Sequence, residues 1–283
     1  MPERAHRSKP ATLALPARLD ERLVDEGYYP DRACAERACL AGLISVDGTV
    51  ITQAGTRLAS PGSISIKADR RFVSRGGTKL QGALVAFGLN IRGRRCLDVG
   101  TSSGGFCDCL LQSGAAGVTA VDVGYGQFDW KLRCDPRVSL YERTNISQIV
   151  PEQIGAPFDL VVADLSFTTV RVHLPLFSTL VRVRGDVIIL IKPQFELPSS
   201  CVGNGIVTDA ALQRQAIQLV LDSLGTSGLL PQALRASDLA GHKGNSEFFL
   251  WLRRGGSVAD IDVDSAVAAA QQRGMESSCR SSL

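Results

Sequence analysis

The sequence predicts an α/β fold, and three observations carry that prediction. Several short runs (118–123, 158–163 and 186–191) are almost unbroken in apolar residues, as strands buried on both faces of a mainly parallel sheet are. Helical stretches separate those runs, the alternation expected of strand–helix units. Residues 95–106, R-C-L-D-V-G-T-S-S-G-G-F, pass from strand character into a three-glycine turn, and a helical run over 107–112 follows at once. Such a corner brings bare backbone close to a ligand and leaves free N–H groups at the helix start.

Residues 1–17 carry prolines and small residues without periodicity and read as a flexible arm. From Arg18, the spacing of Leu19, Leu23 and Val24 predicts a short helix ending at Gly27. Pro30-Asp31 opens a second helix over 32–41, stopped by Gly42. Short β pieces follow at 43–46, 50–51 and 64–67, the first two joined by Asp47-Gly48, a hairpin signal. Residues 18–68 thus form a small α+β domain. Residues 69–78 are polar, basic and glycine-bearing, as an interdomain linker is. The larger domain spans 79–255, beginning with an amphipathic helix over 80–87 that leads to the strand at 96–99. Strands at 118–123, 138–141, 158–163 and 186–191 come next, then a helix over 209–224. The strands at 229–236 and 246–253 are expected as an antiparallel pair at the sheet edge. Residues 256–283 hold one alanine-rich helical patch and a small, polar end, and are expected to be a flexible tail.

The chain has 283 residues, 45% of them hydrophobic, enough for one large domain and a small one. Without an apolar run of about 18 residues, no membrane span is expected. The basic N-terminus (Arg4, Arg7, Lys9) lacks the apolar stretch of a secretory signal. Eight cysteines are scattered without a C-x-x-C pair beside only three histidines, which argues against zinc. Several lie in apolar runs, as reduced thiols of a cytoplasmic protein do. Net charge is +3, yet residues 1–79 hold 13 of the 31 basic and 9 of the 28 acidic side chains, which suits the front of the chain to a polyanion.

The glycine corner differs from a dinucleotide site. G-x-G-x-x-G presses backbone against a pyrophosphate, whereas here the order is G-x-x-x-G-G with Asp98 just ahead. A carboxylate at that point repels a diphosphate but accepts from an ammonium or a hydroxyl. The inferred ligand is a cationic, phosphate-free nucleoside, and S-adenosylmethionine fits. Asp122 stands about 24 residues after Asp98, where a doubly wound fold places its ribose-binding acid. Asp98, Asp122, Asp164 and Lys192 all stand at or just beyond strand ends, so one crevice can hold them. A lysine ending an apolar strand is partly desolvated. Lys192 can accept a proton from a sugar hydroxyl or hold the resulting oxyanion, with Asp164 fixing it. A buried ion pair joining two strand ends is the competing reading. Phe167 and Phe195 follow these strand ends and can stack on a base or simply pack.

Two resemblances sharpen these readings. Two small helices bearing Arg18, Arg22, Arg32 and Arg37, followed by short strands and I-S-V-D-G, resemble the S4 RNA-binding domain; alternatively, these arginines form an ordinary solvated surface with Asp20, Glu21, Asp25 and Glu36. Residues 71–254 resemble the FtsJ/RrmJ-type ribose methyltransferases on S-R-G-G-T-K-L, D-V-G-T-S-S-G-G-F, A-D-L-S-F, I-K-P-Q-F-E and N-S-E-F-F-L, in that order. That resemblance implies a Rossmann-like class I sheet dependent on S-adenosyl-L-methionine, with a catalytic Lys79, Asp164, Lys192, Glu247 tetrad. An S4 domain ahead of it is similar to the TlyA family, the rRNA cytidine 2′-O-methyltransferases once labelled haemolysins. The resemblance implies adenosylmethionine contacts at Gly100, Gly104, Gly105, Phe106, Asp122 and Asn145, to which Asp98, Ser102 and Asp164 are added from their placement. Arg71 and Arg75 join the RNA-binding candidates. Phe72 stands where that family usually carries Trp, and the extended N-terminus resembles the longer family type, which modifies both ribosomal subunits. The implied partner is ribosomal RNA or a ribosomal subunit, with no metal, no membrane and a monomeric chain.

Other classes fit the sequence less well. A non-catalytic S4 adaptor is opposed by the intact Lys79, Asp164 and Lys192. A membrane-lytic protein is opposed by the lack of an apolar span or a strongly basic amphipathic helix. A base-nitrogen methyltransferase would resemble its class by an N/D-P-P-Y/F turn, and Asp164-Leu-Ser-Phe is not that turn.

Overall fold

The computed structural model describes residues 17–29, 31–40, 42–58, 62–66 and 71–280. Residues 1–16 of the expected arm, Pro30, Ala41, residues 59–61, residues 67–70 with the start of the expected linker, and tail residues 281–283 lie outside the described residues. The chain divides into two compact units, 1–70 and 71–283.

In the first unit, helices α1 (Leu19–Asp25) and α2 (Arg32–Leu40) accompany strands β1 (Ile44–Val46), β2 (Thr49–Val50) and β3 (Ile64–Ile66). The strands form an antiparallel sheet in the order β2-β1-β3, and the Asp47-Gly48 turn joins β1 to β2. Leu19, Leu23, Ala35, Cys39 and Ile44 are fully buried in its core. The helix periodicity read from the sequence therefore holds, and Leu19 and Leu23 face inward.

The second unit carries, among the described residues, a seven-stranded sheet in the order β6-β5-β4-β7-β8-β10-β9. Its strands are β4 (Arg95–Val99), β5 (Gly117–Val121), β6 (Val138–Tyr141), β7 (Phe158–Ala163), β8 (Val181–Ile191), β9 (Leu229–Ala236) and β10 (Phe248–Arg254). Neighbours from β6 through β8 run parallel, while β10 is antiparallel to both β8 and β9. The helices are α3 (Arg75–Ala86), α4 (Gly105–Gln112), α5 (Trp130–Arg133), α6 (Leu174–Leu180), α7 (Pro193–Glu196), α8 (Ala210–Asp222) and α9 (Val263–Arg280). From β4 the chain steps outward through β5 and β6, then crosses back to β7. The carboxyl ends of β4 and β7 thus flank the point where strand order reverses, the place where open α/β sheets bind ligands. Successive β7 residues explain the continuous apolar run. Leu160 and Val162 enter one core cluster and Val161 and Ala163 the other, as alternation across a sheet covered on both faces requires.

Two expectations at the edges of this unit are corrected. Over 71–78 the expected linker is part of the large unit: Phe72 is 2% exposed within a core cluster, and the Val73 N–H donates to Asp108 Oδ2 at 2.9 Å. Phe72 therefore fills a core position. The helix begins at Arg75, so Lys79 lies inside it rather than ahead of it. The expected flexible tail from 256 is, over 263–280, helix α9, with Ala266, Val267 and Ala270 buried in the larger core cluster. Its apolar face is built from alanines and one valine, too small to stand out as a core stripe in the sequence. Strand β8 also begins earlier than the expected 186, because the alternating V-R-V-R pattern masks its first half.

Candidate active site

A crevice of about 540 Å³ opens at the strand-order reversal, lined among others by Gly100, Ser102, Asp122, Asn145, Asp164 and Phe167. At Gly100, φ is +79° and a Cβ would lie 2.5 Å from the Asp164 carbonyl oxygen, so the first glycine of the corner has to be bare. The Asp164 N–H donates to the Val99 carbonyl at 3.0 Å, which carries β4–β7 pairing past the strand ends and fixes Asp164 beside the corner. Asp122 follows β5, and its carboxylate accepts the Ser102 N–H at 2.7 Å and the Gly124 N–H at 2.6 Å. Each carboxylate oxygen keeps a lone pair for a further donor. Asn145 lines the crevice while its side chain accepts the Ser147 N–H at 3.0 Å; it closes a turn and borders the cavity at once.

Four other expected contacts are not among the residues that line the crevice. Asp98 sits one residue inside the end of β4 and is fully buried. Its Oδ2 accepts the Thr101 hydroxyl at 2.7 Å, and Oδ1 has no hydrogen-bond partner among the described residues. Burial pushes its carboxyl up to about 7; the Thr101 bond opposes that rise, and the Asp164 charge adds to it. Gly104 is covered by Phe128 and Leu132, and Phe106 is 3% exposed beside Phe249. Gly105 serves a close approach between helices: a Cβ there would collide with the Ser74 hydroxyl and lie 2.9 Å from the Gly77 nitrogen. The second and third glycines of the motif therefore serve packing against neighbouring elements.

The tetrad residues come together because β10 runs antiparallel to β8. Phe248 pairs with Ile191, so Glu247, just before β10, arrives at the edge where Lys192 leaves β8. Lys192 Nζ lies 2.6 Å from Asp164 Oδ1 and donates to Ser166 Oγ at 2.9 Å. From inside α3, Lys79 Nζ reaches Glu247 Oε2 at 2.6 Å, both residues being buried. Burial raises the Glu247 carboxyl against the pull of Lys79; Asp164 raises it further and Lys192 lowers it, so the two ion pairs sense one another. Ser166, inside the quoted A-D-L-S-F but given no role in the sequence reading, is the hydroxyl partner of Lys192. Glu196 and His173 also escape that reading; His173 carries no local sequence signal and meets the crevice only through the fold.

Phe167 is 92% exposed, at φ +63°, with its ring centroid 5.5 Å from that of Phe195, whose ring has Lys192 Nζ 5.9 Å from its centroid. Phe195 is half-buried, while Phe167 stands in solvent. Of the basic candidates, Arg18 and Arg32 both pair with Asp20, at 2.8 and 2.9 Å. Asp20 is 3% exposed, and the Arg18 guanidinium holds its carboxyl well below the usual range. Arg22 pairs with Glu26, and Arg37 donates to Cys34 Sγ at 3.1 Å. Arg71 lies over the Phe72 ring at 5.3 Å, and Arg75 is exposed at the start of α3. Among the described residues no group of three or more His, Cys, Asp or Glu is placed to hold a metal ion, and no helix is long and apolar enough to cross a membrane.

Residues 72–254 match the FtsJ-like methyltransferase family. The chain is 43% identical over 244 residues to the 16S/23S rRNA (cytidine-2′-O)-methyltransferase TlyA of Mycobacterium tuberculosis, covering 85% of this chain and 91% of that protein. It is 34% identical over 233 residues to Hemolysin A of Brachyspira hyodysenteriae, covering 82% and 97%. A solved structure from Streptococcus thermophilus with a provisional hemolysin name superposes with a TM-score of 0.71 at 31% identity, covering 94% of this chain and 99% of that one.

Proposed function

The chain belongs to the TlyA family of FtsJ-like methyltransferases, and from that premise we propose that it 2′-O-methylates cytidine ribose in ribosomal RNA, of the 16S or 23S type or both, with S-adenosyl-L-methionine as donor. The observation that carries this reading is the convergence of Lys79, Asp164, Lys192 and Glu247 as two adjoining ion pairs beside the glycine corner, Lys79–Glu247 buried and Lys192–Asp164 reaching the crevice through Asp164. The residues present fit the donor. Asp122 keeps lone pairs for ribose hydroxyls, Gly100 is bare, and the cavity is within the roughly 300–1,000 Å³ usual for small-molecule sites. Gly100, Ser102, Asp122, Asn145 and Asp164 would hold it. When bound, it supplies an electrophilic methyl on a sulfonium.

The protein's share of the chemistry is alignment and charge. Paired with Asp164 and bonded to Ser166, Lys192 holds a ribose 2′ oxygen and stabilises the charge that develops there, and the proton the hydroxyl gives up passes to the Asp164 carboxylate bordering the crevice. Asp164 steers Lys192 and borders the crevice, and the buried Lys79–Glu247 pair adjoins that ion pair electrostatically. Because the donor is already reactive, fixed geometry accounts for most of the acceleration. The exposed Phe167, beside Phe195, supplies a surface on which a splayed-out base can stack. The 1–70 unit, with its arginines and S4-like order of elements, supplies RNA affinity.

The deciding measurement is methyl transfer to rRNA by wild type and Lys192→Ala, alongside RNA binding. Transfer is expected to vanish in the variant while RNA affinity stays within about twofold. Full transfer without Lys192 would remove the mechanism; failure of the wild type on both subunits' RNA would remove the substrate.

A further inference from the structure

Four residues beyond Lys192, a carboxylate with no part in the mechanism above is buried. Glu196 closes the short helix α7 and is 3% exposed, yet it projects onto the loop that leaves β7 rather than toward the crevice. Its Oε1 accepts the Val170 N–H at 2.8 Å. Its Oε2 accepts the Thr169 hydroxyl and Arg171 Nε, the latter at 3.1 Å, while Arg171 Nη2 donates to the Glu196 carbonyl at 3.1 Å. A buried carboxylate so fully engaged is costly to disturb. All its side-chain bonds go to one loop, residues 164–173, which carries Asp164, Ser166 and Phe167 and ends at the crevice residue His173.

We propose that Glu196 is a positioning residue: it clamps the 164–173 loop to the β8 exit, so that Ser166 and Asp164 meet Lys192 at bonding distance. The loops after β7 and β8 meet at three places: Lys192 with Asp164 and Ser166, the Phe167 ring with that of Phe195, and Glu196 with Thr169, Val170 and Arg171. Phe167 is at positive φ and almost wholly exposed, so its ring contact is a weak hold, and the Glu196 tie carries the geometry of the Lys192 contact. A helix of one turn between Lys192 and Glu196 makes the link short and stiff. Of the five donor contacts, Asp164 rides on the clamped loop, whereas Gly100, Ser102, Asp122 and Asn145 follow other strands and do not depend on this clamp, so donor binding changes far less than transfer.

This inference rests on the proposed reaction, and its test separates the two. In full-length protein, Glu196→Gln keeps the shape and removes the charge. Methyl transfer to rRNA is expected to fall by up to about 10²-fold in kcat, the usual cost of a small misplacement, with donor Kd changed by less than about threefold. If both residues act through the same contact, adding Ser166→Ala to Glu196→Gln should lose no more than the larger single change. An unimpaired Glu196→Gln, or losses that multiply in the double variant, would overturn the clamp. Amide exchange over 165–171 reads the clamp without turnover: Glu196→Ala should speed it relative to β7, and unchanged protection would overturn it. A wild type that methylates no rRNA, in the same assay, would sink the reaction and leave the exchange result to judge the clamp.

Discussion

At the scale of single residues, the site is a set of carboxylates told apart by their surroundings. Asp122 spends its oxygens on backbone N–H groups, Asp164 on a lysine, and Asp98 on one hydroxyl with an oxygen to spare. Asp98 is pushed up to about 7, chiefly by burial, and the sign of its effect on stability follows. A folded-state value above the unfolded one means the folded chain holds the proton longer. The stabilisation is complete below about pH 4 and is lost as pH rises toward 7. Without donor, Asp98→Asn should therefore gain on wild type by a few kcal/mol between pH 4.5 and 7.5, at about 1.4 kcal/mol per unit. Denaturant unfolding of both proteins across that range is the check, and parallel curves would contradict the shift. The sequence marks Asp98 as the acid ahead of the glycines. That its side chain is sealed in the interior while Asp122 and Asp164 reach the crevice is not legible there, because a strand's last residues look alike whether they face the core or the ligand.

At the scale of elements, the motif order locates the carboxyl ends of β4, β5, β7 and β8 closely, since each leads into a residue that chemistry needs. What the sequence conceals are elements held by small side chains. Gly77 and Gly105 let α3 and α4 touch, whereas in sequence Gly77 reads as linker and Gly105 as a ligand glycine. Helix α9 buries only Ala266, Val267 and Ala270 among the side chains described, and reads as a tail. The two readings of α9 predict different stabilities. Val267 is 1% exposed against the core, so Val267→Ala should cost roughly 1–3 kcal/mol, in line with methyl deletions from packed interiors. A frayed tail would cost nothing. Chemical denaturation decides between them: a lowered midpoint at unchanged slope supports the packed helix.

At the scale of the whole molecule, the division at 70–71 leaves every tetrad and crevice residue in one unit, with core clusters drawn wholly from 71–283. The small unit has its own core and a surface whose arginines are partly engaged: Arg18 and Arg32 with Asp20, Arg22 with Glu26. Such engagement does not prevent phosphate contact, since a guanidinium carries five donors and these side chains remain partly exposed. It does reduce the free charge below a simple count of arginines. Removing residues 1–70 should therefore leave donor affinity unchanged while weakening rRNA binding. The slope of log K against log salt should shrink by about 0.7–0.9 for each phosphate that the small unit neutralises in the full chain. Titrating the fragment and the full chain with the same rRNA at several salt concentrations gives both quantities. Equal RNA affinity would assign recognition to the catalytic unit alone, with Arg71 and Arg75 as its nearest basic candidates. A fragment that no longer bound the donor would show that the crevice depends on the first 70 residues.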